Sequence, residues 1–525
     1  MQGQSRLDRE LLDAQALAGD LVPAGSVFAF LAEQRSELFP DSFIADLFGS
    51  RTGRPSLPAD LVGSVLVLKE LYDLSDAQTA EALAFDLRWK VACGRSLTQA
   101  SFDPSTLVYW RKRIAASDRP DRVFDAVAQV IAQTGVLRGR RKRCVDSTVF
   151  DDAVATQDTV TQLVAAIRKV TRVVPGAGEV IEAVCKLDYS QPGKPPIDWD
   201  DPAAKDALVS DLVNDALAVL DALAGPGAPA REGPAADALG LLALVAGQDV
   251  EPAEDSDGTD GRWRIARTVA PDRVISTVDP QARHTRKSKS ARRDGFRGHI
   301  AAEPETGLIT ECEMTMAAGP GSSDAENGVT MTARDRFGAG PDGLEIYGDS
   351  HYGIGEARAA YRDAGHDTVI KPGPLRPAIP GGFTLDDFSI DEDASAVTCP
   401  AGVTRPMSSK TRTVTFGMAC TGCPLRGRCT TAKDGRSMSI HPHEGLLRAA
   451  RAQARTPQFK QAYPTRSVIE RVISWTATQN GRRVKLRYLG SAKNNAWLHT
   501  RCAAINLRTL LHAGLARHDG TWVLA

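Results

Sequence analysis

Three carboxylates in this 525-residue chain stand in settings that suit one chemistry. Asp146 closes a short apolar step after a basic run (RGRRKRCVDST). Asp349 ends a strand-like segment (LEIYGDSHYG), and Glu470 lies in an arginine-rich, helix-like segment (YPTRSVIERVISW). Both aspartates follow a β-like stretch and precede small, turn-forming residues. That pattern predicts a carboxylate at a strand end, where a parallel or mixed sheet opens to solvent. Helical spacing puts Arg466 (i−4) and Ser474 (i+4) on one face with Glu470. Two aspartates and a glutamate on rigid elements can hold two divalent cations about 4 Å apart, which is the arrangement for in-line attack at a phosphodiester. Such hard oxygen ligands favour magnesium or manganese. Taken singly, each acid reads as an exposed turn or helix residue; the combination is what points to chemistry. Asp294 and Asp324 are rival ligands that rank below Asp349. Asp294 lies among arginines that would pair with it, and Asp324 follows Gly-Ser-Ser, where it could cap a helix.

A second constellation is made of thiols. Cys399 is followed by Cys420-Thr-Gly-Cys423 and then Cys429. A CxxC knuckle with two further cysteines nearby suits a closed, tetrahedral, structural zinc site, with His441 or His443 as a possible replacement for one thiolate. The other five of the nine cysteines are scattered, which argues against a disulfide framework.

The elements that must position these groups are also legible. Residues 1–137 read as all-helical: an apolar helix over roughly Ala59–Tyr72, a second helix (AQTAEALAFD) capped by Ser75, and a third (STLVYWRKRI) capped by Asp103 or Ser105. Its basic end, with Arg111, Lys112 and Arg113, suits a helix-turn-helix reader of duplex DNA. Residues 138–154 form a basic linker, including Arg140 and Arg141, and a first core strand. Residues 155–262 read as an acidic helical insertion, helical around Asp206–Leu223 and Asp237–Val245. Residues 263–395 carry strand signals at Trp263–Thr268, Gly298–Glu303 and Leu308–Met316, with a PETG hairpin turn. Just before that hairpin, ARHTRKSKSARRDGFRGH is predicted to be a mobile loop that orders on DNA through residues such as Arg286, Lys287, Arg292 and Arg293. Residues 396–445 form the cysteine-rich insertion, and residues 446–525 a basic helical part of the core.

Total charge conceals the asymmetry. The chain has a formal net charge of −1, yet residues 426–525 carry 18 Lys+Arg against 4 Asp+Glu, a net of +14. Residues 145–280 carry 11 against 24, a net of −13. Nucleic-acid binding follows local potential, so the C-terminal block, with Arg466, Arg471, Arg482, Arg483 and Lys485, is the expected phosphate-facing surface. No apolar run is long enough for a membrane helix and the N-terminus lacks an apolar signal core, so a cytoplasmic protein is expected.

The order and co-occurrence of these motifs resemble a bacterial insertion-sequence transposase of the DDE, RNase H-like type. The likeness covers most of the chain. Residues 39–94 resemble the helical domain that opens such proteins. VDST and YGDSHYG resemble the two aspartate motifs, and STVDPQARHTRKSKSARRDGFRGHIAAEPETGLIT resembles the intervening hairpin. Tyr463, Arg466 and Glu470, followed by NGRRVKLRYLG, resemble the glutamate motif. The related signature places a lysine seven residues after the glutamate; here that position is Ala477, and Lys485 or Arg482 stands as its substitute. The resemblance implies an all-α N-terminal domain and an α/β RNase H-like core interrupted by helical and zinc-ribbon-like insertions. It also implies Asp146 on the central strand bridging two metals, cleavage and strand transfer at transposon ends, terminal inverted repeats and target DNA as partners, and a homodimer on DNA at the nucleoid. A metal-dependent nuclease of the same fold and a non-catalytic DNA-binding descendant are the alternatives.

Overall fold

The computed structural model describes the chain apart from residues 6–10, 50–51, 227, 229–230, 269, 271, 287–291, 339, 341 and 525. Its centre is a mixed sheet. Five strands matter for the site: β1 (Lys142–Asp151), β2 (Arg292–Ala302), β3 (Ile309–Met316), β4 (Glu345–Gly348) and β5 (Asp367–Ile370). They lie in the order β3-β2-β1-β4-β5; β2 is antiparallel to β1 and β3, whereas β4 runs parallel to β1 and β5 parallel to β4.

β1 owes its place at the centre to its side-chain alternation. Val145 is fully buried with Ile346, Tyr352, Tyr361 and Ile370 on one face. Cys144 and Phe150 are buried on the other, where Phe150 meets Trp497 edge-on at 5.4 Å. Helices Asp324–Arg334 and Gly355–Asp363 cover the first face, and helices Val468–Ala477 and Ser491–His512 cover the second. At the foot of β1, Arg143 and Asp335 form a fully buried pair at 2.5 Å. Gly295 has φ +150°, and a Cβ there would meet the Phe150 carbonyl oxygen at 2.0 Å, so the close strand approach requires glycine.

Two sequence expectations change here. Asp146 sits in the middle of β1, paired with Ile300, rather than at a strand end, because antiparallel pairing to β2 continues through Ser147–Asp151. The described parts of the basic segment before the PETG hairpin are strand rather than loop: Arg283–Arg286 pairs antiparallel with Arg292–Gly295, extending the sheet. Lys287 lies outside the described residues. The strand signal at Trp263 belongs to a separate ribbon, Val250–Pro252 with Trp263–Ile265.

The acidic insertion folds as four helices, Thr159–Val173, Ala177–Val184, Pro202–Ala224 and Gly233–Gln248, around its own core of residues such as Leu163, Ile167, Leu212, Val219 and Leu242. The N-terminal helices behave differently. Ala59–Leu71 and Asp76–Phe85 form as expected, the latter with a Ser75/Gln78 capping box. Their apolar side chains, however, join the same core as Phe150, Leu498 and Ile505. Polar latches reinforce the joint. Buried Lys69 donates to Glu70 (2.9 Å) and to the Tyr488 hydroxyl (3.0 Å), and Arg501 donates to the Glu70 carbonyl (2.7 Å).

A third latch carries a testable pH dependence. His499 is buried near Glu311 and Asp121, with Nδ1 3.0 Å from the Asn495 carbonyl. Burial opposes its charge, but Glu311, Asp121 and that carbonyl outweigh it and raise its pKa to about 9. Because the folded pKa lies above the ordinary 6.5, the stabilisation is complete below pH 6.5 and is lost as pH rises through 9. The shift corresponds to at most about 3 kcal/mol. Melting temperatures of wild type and His499→Gln should therefore converge as pH rises from about 6.5 to about 9.5; a constant gap across that range contradicts the assignment.

Candidate active site

The sheet register brings two aspartates level. Cys144 pairs with Tyr347 at the end of the parallel β1–β4 ladder, so continuing that register by two residues sets Asp146 level with Asp349, which lies just past β4. Asp349 follows the last residue of β4 and accepts the His351 backbone N–H at 2.9 Å, which fixes the turn Ser350–Gly353. Glu470 enters from above, in the first turn of helix Val468–Ala477. The preceding turn, Tyr463–Ser467, packs on β1 and β4 and supplies Arg466. The Arg466 guanidinium donates to Asp146 at 2.7 Å and to Glu470 at 3.4 Å. The acid side chains grade outward: Asp146 is 18% exposed, Asp349 35% and Glu470 66%.

Burial pushes the Asp146 carboxyl above its ordinary range and the Asp349 and Asp324 charges add to that, against the Ser147 N–H and Arg466. Burial likewise opposes the Arg466 charge, but Asp146, Tyr463, Asp349 and Glu470 outweigh it and hold its pKa up. Tyr463 stacks on Phe459 with ring centroids 5.1 Å apart.

Asp324 lies behind this cleft. It accepts from Ser147 Oγ (2.7 Å) and Arg297 (2.9 Å), and His299 approaches at 3.5 Å. Ser147 follows Asp146 in the strand, so the contact lies on the opposite face of the sheet. Burial lowers the His299 pKa to about 4, which leaves the ring neutral near pH 7. The cap of the following helix is Ser323, not Asp324. Asp294 pairs with His284 (2.6 Å) and Thr156 rather than with arginines. Ser147, Arg297, His299 and the buried Tyr352 carry no local sequence signal, because only the β1–β2 register and the helix crossing bring them to the acids.

The cysteine-rich segment builds a small β unit. Ser389–Asp391, Ala396–Thr398 and Thr404–Pro406 form one sheet, Thr413–Thr415 and Ser437–Ser439 a second, around Phe388, Val397, Val414 and Phe416. Cys399, Cys420, Cys423 and Cys429 line one cavity of about 20 Å³ there, room for a single water-sized atom. Burial pushes the Cys429 thiol up and the other three cysteines add to that, against Arg436. His441 turns away to Glu356 (3.2 Å). Among the described residues no three His, Cys, Asp or Glu side chains stand close enough together to hold one metal ion. At the acids the reason is visible: Arg466 stands between Asp146 and Glu470. At the thiols, all four converge on the cavity without closing to ligand spacing.

The basic residues sort into paired and unpaired. Arg111 is bound to Asp76 at 2.6 Å and lies over the Tyr488 ring, and Arg113 bonds the Tyr109 hydroxyl and covers Phe48. Arg140 pairs with Glu305, Arg141 with Asp367 (3.1 Å) and the Gly343 carbonyl, and Arg293 and Arg483 with Asp151 (3.1 and 3.4 Å). Lys112, Arg286, Arg292 and Arg482 are exposed, and exposed Arg471 lies over the Trp475 ring at 5.3 Å. Lys485 bridges to Asp151, five residues and roughly 17 Å along β1 from Asp146, and Arg482 is on the adjoining hairpin. Neither expected substitute for the missing lysine therefore stands at the acids, and Ala477 is buried at a helix end. Among the described residues no helix is long and apolar enough to cross a membrane.

Two family models match the chain: a transposase domain (DUF772) over residues 18–113 and a transposase DDE domain over residues 398–511. The second includes Glu470 and the four clustered cysteines. An uncharacterized protein, ORF8 of the nfe locus of Rhizobium meliloti, is 33% identical over 107 residues, 20% of this chain and 51% of the relative. The chain thus spans about half the length of this curated relative. No solved structure matches significantly.

Proposed function

We propose a full transposition reaction for this chain, which its two matched segments mark as a transposase of the DDE type. In this reading the protein binds the terminal inverted repeats of an insertion sequence, cuts the DNA and joins the freed 3′-hydroxyl to a target. The observation that carries it is the β1–β4 register, which, if continued by two residues, sets Asp146 level with Asp349, together with Arg466 reaching both Asp146 and Glu470. The strand order β3-β2-β1-β4-β5, with β2 antiparallel, supports an RNase H-like core.

Asp146, Asp349 and Glu470 would hold two magnesium or manganese ions; the donor set is all hard oxygen, and its mutual repulsion calls for cationic charge. Bound there, such ions stabilise charge on the reacting phosphate and make the attacking oxygen a better nucleophile. The chain's own groups prepare that seat. Ser147 N–H orients the Asp146 carboxylate (2.8 Å), and the Asp349 carboxylate is fixed by its turn. Arg466 supplies the compensating charge and, when released from Asp146, is positioned to hold a phosphate oxygen as a bidentate donor.

Cys399, Cys420, Cys423 and Cys429 would hold a structural zinc, supported by their convergence on one single-atom cavity. Exposed Lys112, Arg286, Arg292 and Arg482 are well placed for phosphate contact, because Arg111, Arg113, Arg140, Arg141, Arg293, Arg466, Arg471 and Arg483 already have carboxylate or ring partners. A homodimer on DNA belongs to the same reading. The test is incubation of the full chain with DNA carrying the flanking ends of its encoding element and magnesium or manganese. Cuts at the ends that disappear with chelator are the expected result; no cutting under any divalent cation contradicts the proposal.

A further inference from the structure

Lys371 is the first residue after β5 and is exposed, and no described residue gives it a hydrogen bond or an ion pair. Its position follows from two ladders. Cys144 pairs with Tyr347, and Gly348 pairs with Ile370. Continued two steps beyond the first pair and one beyond the second, these registers set Asp146, Asp349 and Lys371 in one row across β1, β4 and β5, with neighbouring strands about 4.8 Å apart.

The three also share a face. Val145 and Ile370 are buried together against the helices of the first face, and a Cβ on Gly348 would meet Val145 and Tyr352 there. The next residue of each strand alternates to the opposite face, where Arg466 meets Asp146. Alternation persists at both new positions: Asp349 has extended backbone (φ −81°, ψ −177°), and Lys371 precedes Pro372, which confines it to extended conformations.

A buried arginine ties this edge together. Arg358 donates to the Gly353 carbonyl and to the Ile370 carbonyl, both at 2.8 Å. It thus clamps the turn that carries Asp349 to the residue that precedes Lys371. A free cation held level with two carboxylates, roughly one strand from Asp349 and two from Asp146, is suited to an anion that the carboxylates would otherwise repel.

We propose that Lys371 contacts a DNA phosphate next to the one that reacts, holding the strand over Asp146 and Asp349. The inference rests on the reading of the cleft as a phosphodiester-cleaving site. As a contact from a solvated lysine it is a point-charge interaction, which arginine can replace and glutamine cannot.

The test uses the full chain as wild type, Lys371→Gln and Lys371→Arg. Two quantities are measured: salt-dependent binding to a duplex of random sequence without divalent cation, and nicking of supercoiled plasmid with manganese. Glutamine should lower the slope of log affinity against log salt by about 0.9, the value for one lost phosphate contact. It should slow nicking by roughly tenfold or more, the size of one charge-assisted contact, and arginine should restore both. An unchanged slope overturns the contact. A reduced slope with wild-type nicking overturns its place beside the reacting phosphate. If wild type itself does not nick, the parent reading fails, while the binding slope still decides whether Lys371 meets DNA.

Discussion

Asp146→Asn and Asp349→Asn are each expected to lower divalent-dependent cleavage by roughly a thousandfold or more. Carboxylates that hold the reacting cations contribute several kcal/mol of transition-state stabilisation, and each ~1.36 kcal/mol is tenfold in rate. The amide keeps the shape of the side chain and removes the charge. Folding should survive the change at Asp146, because the amide oxygen still accepts the Ser147 N–H and Arg466 keeps Glu470. Binding to DNA should persist or tighten slightly, since a negative charge leaves the cleft. The two readouts separate a lost metal ligand from a lost fold. Cleavage by Asp349→Asn at the wild-type rate would remove Asp349 from the site.

The second large effect concerns the thiols. Full-length protein purified without added zinc should contain about one zinc per chain, and the double variant Cys420→Ser, Cys423→Ser should contain none. A structural zinc contributes folding free energy directly, on the order of 10 kcal/mol in small zinc-dependent units. The unit around Phe388, Val397, Val414 and Phe416 has only a small core of its own, so under this proposal it is expected to need that contribution. Amide exchange across residues 389–439 should therefore rise to the unprotected limit in the variant, while β1 to β3 stay protected. Zinc content near zero in folded, DNA-cleaving wild type would contradict the site.

Asp349 and Glu470 were legible because each sits where local pattern changes, an apolar EIYG run giving way to a turn and an arginine-rich turn giving way to a helix. Asp146 was legible as an acid of interest but not as a mid-strand residue. The Asp-Ser-Thr that follows Val145 has turn composition, and only pairing with His299 and Gly298 keeps it extended. The basic hairpin arm failed for the same reason: Arg283–Arg286 has no apolar alternation, and its strand state comes from β2. Local sequence gives no hint of partners hundreds of residues away. Arg111 reads as DNA-facing, yet Asp76 and Tyr488 draw it into the joint between the N-terminal helices and the core. The Asp146–Asp349–Lys371 row depends on two strand registers that no window of sequence contains.

Under the proposed function, this cleft joins DNA strands as well as cutting them. The most direct measurement supplies the full chain with pre-cut end DNA bearing a free 3′-hydroxyl, a supercoiled target plasmid and manganese, and scores covalently joined product. Joined product is expected with wild type, dependent on the 3′-hydroxyl and on the cation, and none with Asp146→Asn. Nicking of the plasmid without any joined product, under conditions where the end DNA is bound, would contradict it and leave a nuclease in its place.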